Sequence, residues 1–297
     1  MAIKYQKITI FDVLCPMQQE EHWSNIITNK TTFSLSTFKD VWQYRDLMWM
    51  FVKRDIVTNY KQTVLGPLWF FIQPALTTAM FVFIQRAAKI ETNGIHPVLF
   101  YLIGITAWNY FAECLTKTST TFKDNAFIFG KVYFPRLILP LSIVFSNLLK
   151  FFIQILLFII IAILFVALGK SKIDIQPTIL LFPLLIFIMA GLGLGSGLII
   201  TSLTTKYRDL ALLVQFGTQL LMYGTLMLPR SATSGILNTL LKYNPMIPII
   251  DALRQSLFNT EAPNYELLGY SFVVMMIVMI VGFFIFSQTE KDFTDTV

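Results

Sequence analysis

Six stretches of the chain carry no charged residue and read as long apolar blocks: residues 62–85, 92–112, 151–169, 175–205, 210–229 and 267–289. A helix needs about 20 residues to cross a hydrocarbon core ~30 Å thick, and each block is close to that length. Their side chains are apolar on every face instead of alternating, which excludes the strands of a membrane barrel. The pattern predicts an all-α integral membrane protein with six transmembrane helices, spread over residues 64–290.

The intervals between blocks add three further elements. Residues 1–35 are polar and are expected to form a cytoplasmic extension. A helix over 36–63 is expected to start at Ser36 or Thr37, whose hydroxyl can cap the first turn. Along it Val41, Tyr44, Met48 and Phe51 recur at helical spacing, and Trp42 and Trp49 suit a membrane boundary, so the segment reads as an N-terminal amphipathic interfacial helix. Residues 230–266 are too many for a turn. They hold Ile236, Leu237, Leu240 and Leu241, then the prolines of NPMIP at 244–248, then Ile250, Leu253 and Leu257. Two short apolar helices broken by prolines predict a re-entrant helical hairpin before the last span, or else a cap lying flat on the outer face. In the fourth block, GLGLGSG at 191–197 puts glycines four apart, the spacing that lets membrane helices approach closely. It lacks the Lys-Ser/Thr ending of a phosphate-binding loop.

Composition agrees with the pattern. The chain is 55% hydrophobic and only 13% charged, where a soluble domain would be nearer a quarter charged. Its net charge of +6 is spread over the intervals and not gathered into a stripe, so nucleic acid is not the expected partner. Basic residues gather more on one side of the blocks, at Arg45, Lys53, Arg54, Lys61, Lys117, Lys123, Lys131, Arg136, Lys206, Arg208 and Lys291. The other side holds Arg86, Lys89, Lys170, Lys172, Arg230, Lys242 and Arg254. By the positive-inside rule both termini are expected in the cytoplasm. No apolar run lies near Met1, so no cleavable signal peptide is expected. Two cysteines, Cys15 and Cys114, imply no disulfide framework.

Catalytic and metal-binding motifs are missing. The sequence has no HExxH, CxxC, GxSxG or phosphate-binding loop, and His22 and His96 stand alone, so neither a catalytic site nor a metal is expected. Glu113, near the end of the second block, is expected to have no buried partner, and an ion-driven pump would need such groups at mid-membrane. Lys150 is the one charge inside the otherwise apolar stretch that follows Arg136, in a helical run to Gly169 about 50 Å long at 1.5 Å per residue. It is expected to snorkel to the cytoplasmic surface.

Four blocks, RDIVTNYKQTVLGPLWFFIQP at 54–74, NAFIFGKVYFPRLILPLS at 125–142, KYRDL at 206–210 and NPMIPIIDALRQSLF at 244–258, resemble the membrane subunit of ABC-2 type polysaccharide exporters. These move O-antigen, capsule or teichoic acid chains. The likeness runs in order from about Arg45 to the last span. It implies a permease subunit of the cytoplasmic (inner) membrane, not itself an enzyme, working as a homodimer on two copies of a separate ATPase that holds the ATP and Mg. The implied substrate is a lipid-linked polysaccharide. Residues 117–136 would be the coupling loop, with Asn125, Phe127, Phe129, Lys131, Tyr133, Phe134 and Arg136 meeting the ATPase: aromatic anchors inside a basic rim. Lys53, Arg54 and Lys61 would lie where an anionic lipid head group gains access. Trp69, Phe70, Phe71, Trp108, Tyr110 and Phe111 would be candidates to line a channel between subunits. At FIFG, 127–130, the sequence departs from the more polar pattern of the family. Apart from the resemblance, an exporter of drugs or lipids and a membrane glycan polymerase or ligase are the competing functions.

Overall fold

A computed structural model describes residues 41–60, 65–90, 92, 94–129, 131, 134–171, 173–174, 176–207, 209–227, 243–258 and 263–294. The polar extension over 1–35, the helix start at Ser36 or Thr37, Lys61, Tyr133 and the first arm of the hairpin, 236–241, lie outside the described residues. The rest is helical: α1 Arg45–Tyr60, α2 Trp69–Ala88, α3 Pro97–Ser119, α4 Thr121–Asp124, α5 Ala126–Phe129, α6 Ile138–Ala167, α7 Phe182–Thr204, α8 Leu210–Met227, α9 Met246–Phe258 and α10 Tyr265–Thr294. Among the described residues there is no strand.

Among the described residues, five stretches are long and apolar enough to cross a membrane: Gly66–Ala88, Pro97–Ser119, Ile138–Ala167, Pro177–Thr204 and Tyr265–Thr289. The fifth predicted block forms α8, whose apolar part Leu210–Leu226 would rise only about 25 Å, short of the ~30 Å core. By length alone, then, five helices meet the expectation of six.

Local chemistry sets the helix ends. Gly66, at φ 45°, and Pro67 open the short 3-10 turn that leads into α2. Pro97 stands at the first turn of α3, where its missing N–H removes no bond. His96 caps that turn, its Nδ1 accepting from Val98 N at 3.3 Å. Burial, with Lys170 and Arg86 nearby, keeps the imidazole below its ordinary pKa, which leaves it neutral and able to accept. The lone histidine therefore has a structural role. Gly169, at φ 67°, follows the end of α6 in the left-handed conformation typical of a helix terminus.

Contacts along the helices fix their directions. Lys117 and Cys114 of α3 meet Asn147 of α6, while His96, just before α3, packs on Phe165 near the end of α6, so the two run antiparallel. The end that carries residues 120–137 is called the near end here. Gly193 faces Cys114 and Gly197 faces Thr118, so α7 runs parallel to α3 and finishes at the near end, where Thr204 Oγ1 donates to Ser119 O at 2.6 Å. Gly191 faces Met275 and Gly195 faces Met279, so α10 also runs parallel to α7, and its Phe286 stacks on Phe122.

The glycines of 191–197 thus serve two neighbours. A Cβ on Gly195 would sit 2.9 Å from Met279 N, and one on Gly282 would sit 2.5 Å from Gly195 O, so α7 and α10 touch backbone to backbone. On the other face a Cβ on Gly193 would lie 2.7 Å from Cys114 Cβ. This is the close packing that the four-residue spacing predicts. At the centre stands α3, with 67% of its most apolar window buried against 17% for α10, so α3 is the core and α10 lies at the edge.

Candidate functional site: the near-end loop and its charged anchor

Residues 120–137 join α3 to α6 through two single-turn helices. Asn125 starts the second: its carbonyl accepts from Ile128 N and Phe129 N, and its side chain donates to Thr121 O at 3.1 Å. The segment then turns inward. Phe134 is buried, packed on Phe51 of α1 with ring centroids 5.8 Å apart and on Phe129 at 5.7 Å, beside Ile138 and Leu139. Arg136 is buried as well, its guanidinium 5.4 Å from the Phe129 ring. Pro140 lies in the first turn of α6, where no intrahelical donor is lost.

Phe134, expected to meet a partner, is enclosed by its own chain here and packs the loop against α1 and α6. Among the described residues of the segment Phe127 is the exposed aromatic, at 72% of its full surface, with the Lys131 ammonium 3.7 Å from its ring centroid. Phe129 lies between, packed on Phe122 at 5.7 Å.

The α1 helix and the residues just before it, from Val41, complete the near end. Val41, Tyr44, Met48 and Phe51, the stripe read from the sequence, gather around Phe134, Ile138 and Leu139. The stripe therefore packs on the start of α6. Trp42, Trp49, Met50 and Val57 stay exposed on other faces. Lys53 is exposed, whereas Arg54 lies over the Phe51 ring at 4.8 Å and donates from Nη2 to Asp55 Oδ1 at 2.9 Å.

Sequence reasoning missed the polar cluster above the loop. Lys150 does not snorkel: its side chain is 10% exposed and its Nζ lies 2.7 Å from Glu113 Oε2. Lys117 Nζ reaches the same oxygen at 3.0 Å and Asn147 Oδ1 at 3.3 Å. Glu113 therefore has two lysine partners, where none was expected. Lys117 follows Glu113 by one helical turn, a pairing that the spacing could have revealed. The contact with Lys150, 37 positions away, leaves no local signal.

A second buried cation was also missed. Arg254, counted from the sequence as a loop charge, lies 3.6 Å over the Phe100 ring, donates from Nε to Phe100 O at 3.2 Å and pairs with Asp251 at 3.5 Å. Gly104 gives it room, since a Cβ there would stand 2.7 Å from Nη2. It pins the short helix α9 to the start of α3, at the far end.

The six channel candidates separate by burial: Phe70, Trp108 and Tyr110 are buried within the chain, whereas Trp69 is exposed and Phe71 and Phe111 are partly so. None lines the crevice of about 340 Å³ between α2, α3 and α6, which is bounded by Thr78, Phe83, Arg86 and Leu102 among others. Among the described residues no group of His, Cys, Asp or Glu is arranged to hold a metal.

Stacked apolar helices around a buried central one, several of them long enough to cross a bilayer, define a multi-pass integral membrane protein. The profile of the ABC-2 type transporter family matches residues 46–258, and the chain belongs to that family. It is 29% identical over 251 residues to an O-antigen export system permease protein RfbA of Klebsiella pneumoniae, covering 84% of this chain and 94% of that one. It is 24% identical over 264 residues to the protein of the same name from Myxococcus xanthus, covering 87% and 98%.

Proposed function

We propose that this chain is the transmembrane subunit of an ATP-driven exporter that carries a lipid-linked polysaccharide of the O-antigen kind across the inner membrane. The observation that carries the reading is the near-complete coverage of two relatives named as O-antigen export permeases. The chain works as a homodimer on two copies of a separate ATPase, which binds the ATP and Mg. Residues 120–137 dock on it, with Phe127 and Lys131 projecting and Phe129, Phe134 and Arg136 bracing them from behind. The α1 helix and the turn before it, with Trp49 and Trp42 exposed, lie at the cytoplasmic surface. Lys53 there offers a charge to an anionic head group, worth about 1 kcal/mol near a membrane surface.

Six crossings are favoured over five by connectivity. Helix α8 starts at the near end, where α7 finishes, and its other end reaches Thr225, which accepts from Asn244 Nδ2 just before α9, and Leu226, which faces Gly104. Since Gly104 lies early in α3, α8 joins the near end to the far end despite its length. Helix α9 remains on the far side: Ser256 O accepts from Gln176 N, and Pro245 O from Ser271 Oγ near the start of α10. That suits a re-entrant arm buried in protein. Of the aromatics, Trp69, Phe71 and Phe111 are left to face the glycan path. Both termini then lie in the cytoplasm.

A deletion strain tests the function. With the exporter gone, full-length lipid-linked chains should accumulate on the cytoplasmic side while surface glycan disappears. Short chains would point to a polymerase, and unchanged surface glycan would overturn the reading in favour of a drug or lipid exporter.

A further inference from the structure

The polar cluster ties together the two helices that the near-end loop connects. Glu113 and Lys117 stand on α3, before the loop, and Asn147 and Lys150 on α6, after it. Asp55 of α1 is close enough to Lys117 to interact with it electrostatically, and the Lys150 ammonium is 6.0 Å from the Phe70 ring of α2. Directly above, the rings of Tyr110 and Phe151 lie 5.2 Å apart. Apolar packing thus closes the cluster toward the far end, and it does not continue as an ion path.

We propose that Glu113, Lys117 and Lys150 form a clamp that makes α3 and α6 move as one body when the loop between them is pushed, with Lys150 as a positioning residue for export. The proposal rests on the reading that this loop receives the ATPase. An ion pair with a buried member is a poor source of stability, because withdrawing charge from water offsets much of the attraction, and here Lys150 is buried while Glu113 is a third exposed. Such a pair is a good device for fixing register. Sliding α3 past α6 by one turn, about 5.4 Å, would break every contact of Lys150 with Glu113 and leave a buried charge unpaired. Packing among the apolar residues around it carries no such penalty, since one Leu or Phe can replace another. Both lysines meet one carboxylate oxygen, and Lys117 adds a bond to Asn147, so the clamp holds at two points on each helix.

The test compares three forms of the chain, each expressed in a deletion strain together with its ATPase: wild type, Lys150→Met, and the swap Glu113→Lys with Lys150→Glu. Surface glycan per assembled complex is measured in cells, and ATP hydrolysis on the same complex after purification. The Lys150→Met complex should move about five-fold less glycan, or less still, for the ATP it hydrolyses. The swap should recover most of the wild-type ratio, since the carboxylate it moves to α6 can meet both the ammonium it moves to α3 and that of Lys117. An unchanged ratio in Lys150→Met, or a swap that stays as low as that variant or does not assemble, would overturn the clamp. If Lys150→Met alone fails to assemble, the swap decides by the same measure. Failure of the wild-type chain to restore glycan is a separate outcome: it removes the export reading, and the clamp falls with it.

Discussion

At the scale of single residues, the glycines were legible and the ion pair of Lys150 was not. Four-residue spacing is a local signal, and Gly191, Gly193, Gly195 and Gly197 lie where that spacing places them, two toward each neighbour. The partner of Lys150 depends on how α3 and α6 are folded together, which no local pattern encodes. The glycines also differ among themselves in what they touch. A side chain on Gly195 would run into the backbone at Val278 and Met279, which cannot rotate away, whereas one on Gly191 meets only the flexible end of Met275. Gly195→Val should therefore lower the thermal stability of the purified chain by an overpacking cost of about 1–3 kcal/mol, and Gly191→Ala by much less. Gly217 has nothing within 4 Å of a built Cβ, so Gly217→Ala should cost nothing. Equal losses at Gly195 and Gly217, measured by thermal unfolding in detergent, would contradict the backbone contact.

Among elements, the stripe of α1 was legible but its target was not. The spacing of Val41, Tyr44, Met48 and Phe51 identified a packed face, and hydrophobic periodicity cannot tell a membrane surface from a protein surface as the thing packed against. The near-end loop shows the same limit. Its aromatic and basic composition marked a contact segment, yet only the fold separates Phe127, which projects, from Phe134, which is enclosed. Two substitutions exploit the difference. Phe134→Ala should destabilise the isolated chain by up to about 3–5 kcal/mol, because it empties a packed cluster of α1 and α6. Phe127→Ala should leave the melting temperature of the chain alone unchanged and weaken its capture by the ATPase, by about 2 kcal/mol if the ring is a hot spot. Melting curves and co-purification, run on both variants, separate the roles. A large drop in melting temperature for Phe127→Ala with capture intact would return that ring to the fold.

For the whole molecule, the order of apolar blocks gave the helices and the packing gives their directions. Composition could count crossings only by length, and α8 falls short on that measure. Direction is a stronger argument, because it depends on contacts at both ends. Helices α3, α7 and α10 all run toward the near end, and α10 arrives there with Phe286 stacked on Phe122 of the loop, their ring centroids 5.0 Å apart. If α7 ends and α10 also ends at the near end, the chain between them must return to the far end, and among the described residues α8 is the helix of that interval that starts at the near end and has far-end contacts. On the proposed six-span reading, a span about five residues shorter than α3 would be accommodated by local thinning of the bilayer or by burial against neighbours, each at modest cost. Topology is thus a consequence of packing that labelling can check. In a chain with Cys15 and Cys114 replaced by serine, single cysteines at Asp124 and Gln288 should react with a membrane-impermeant maleimide only after the inner membrane is opened. A cysteine at Lys170, just past the far end of α6, should react from outside. Labelling of the Gln288 position together with Lys170 would mean that α8 does not cross, and would leave the C-terminus on the side opposite the loop.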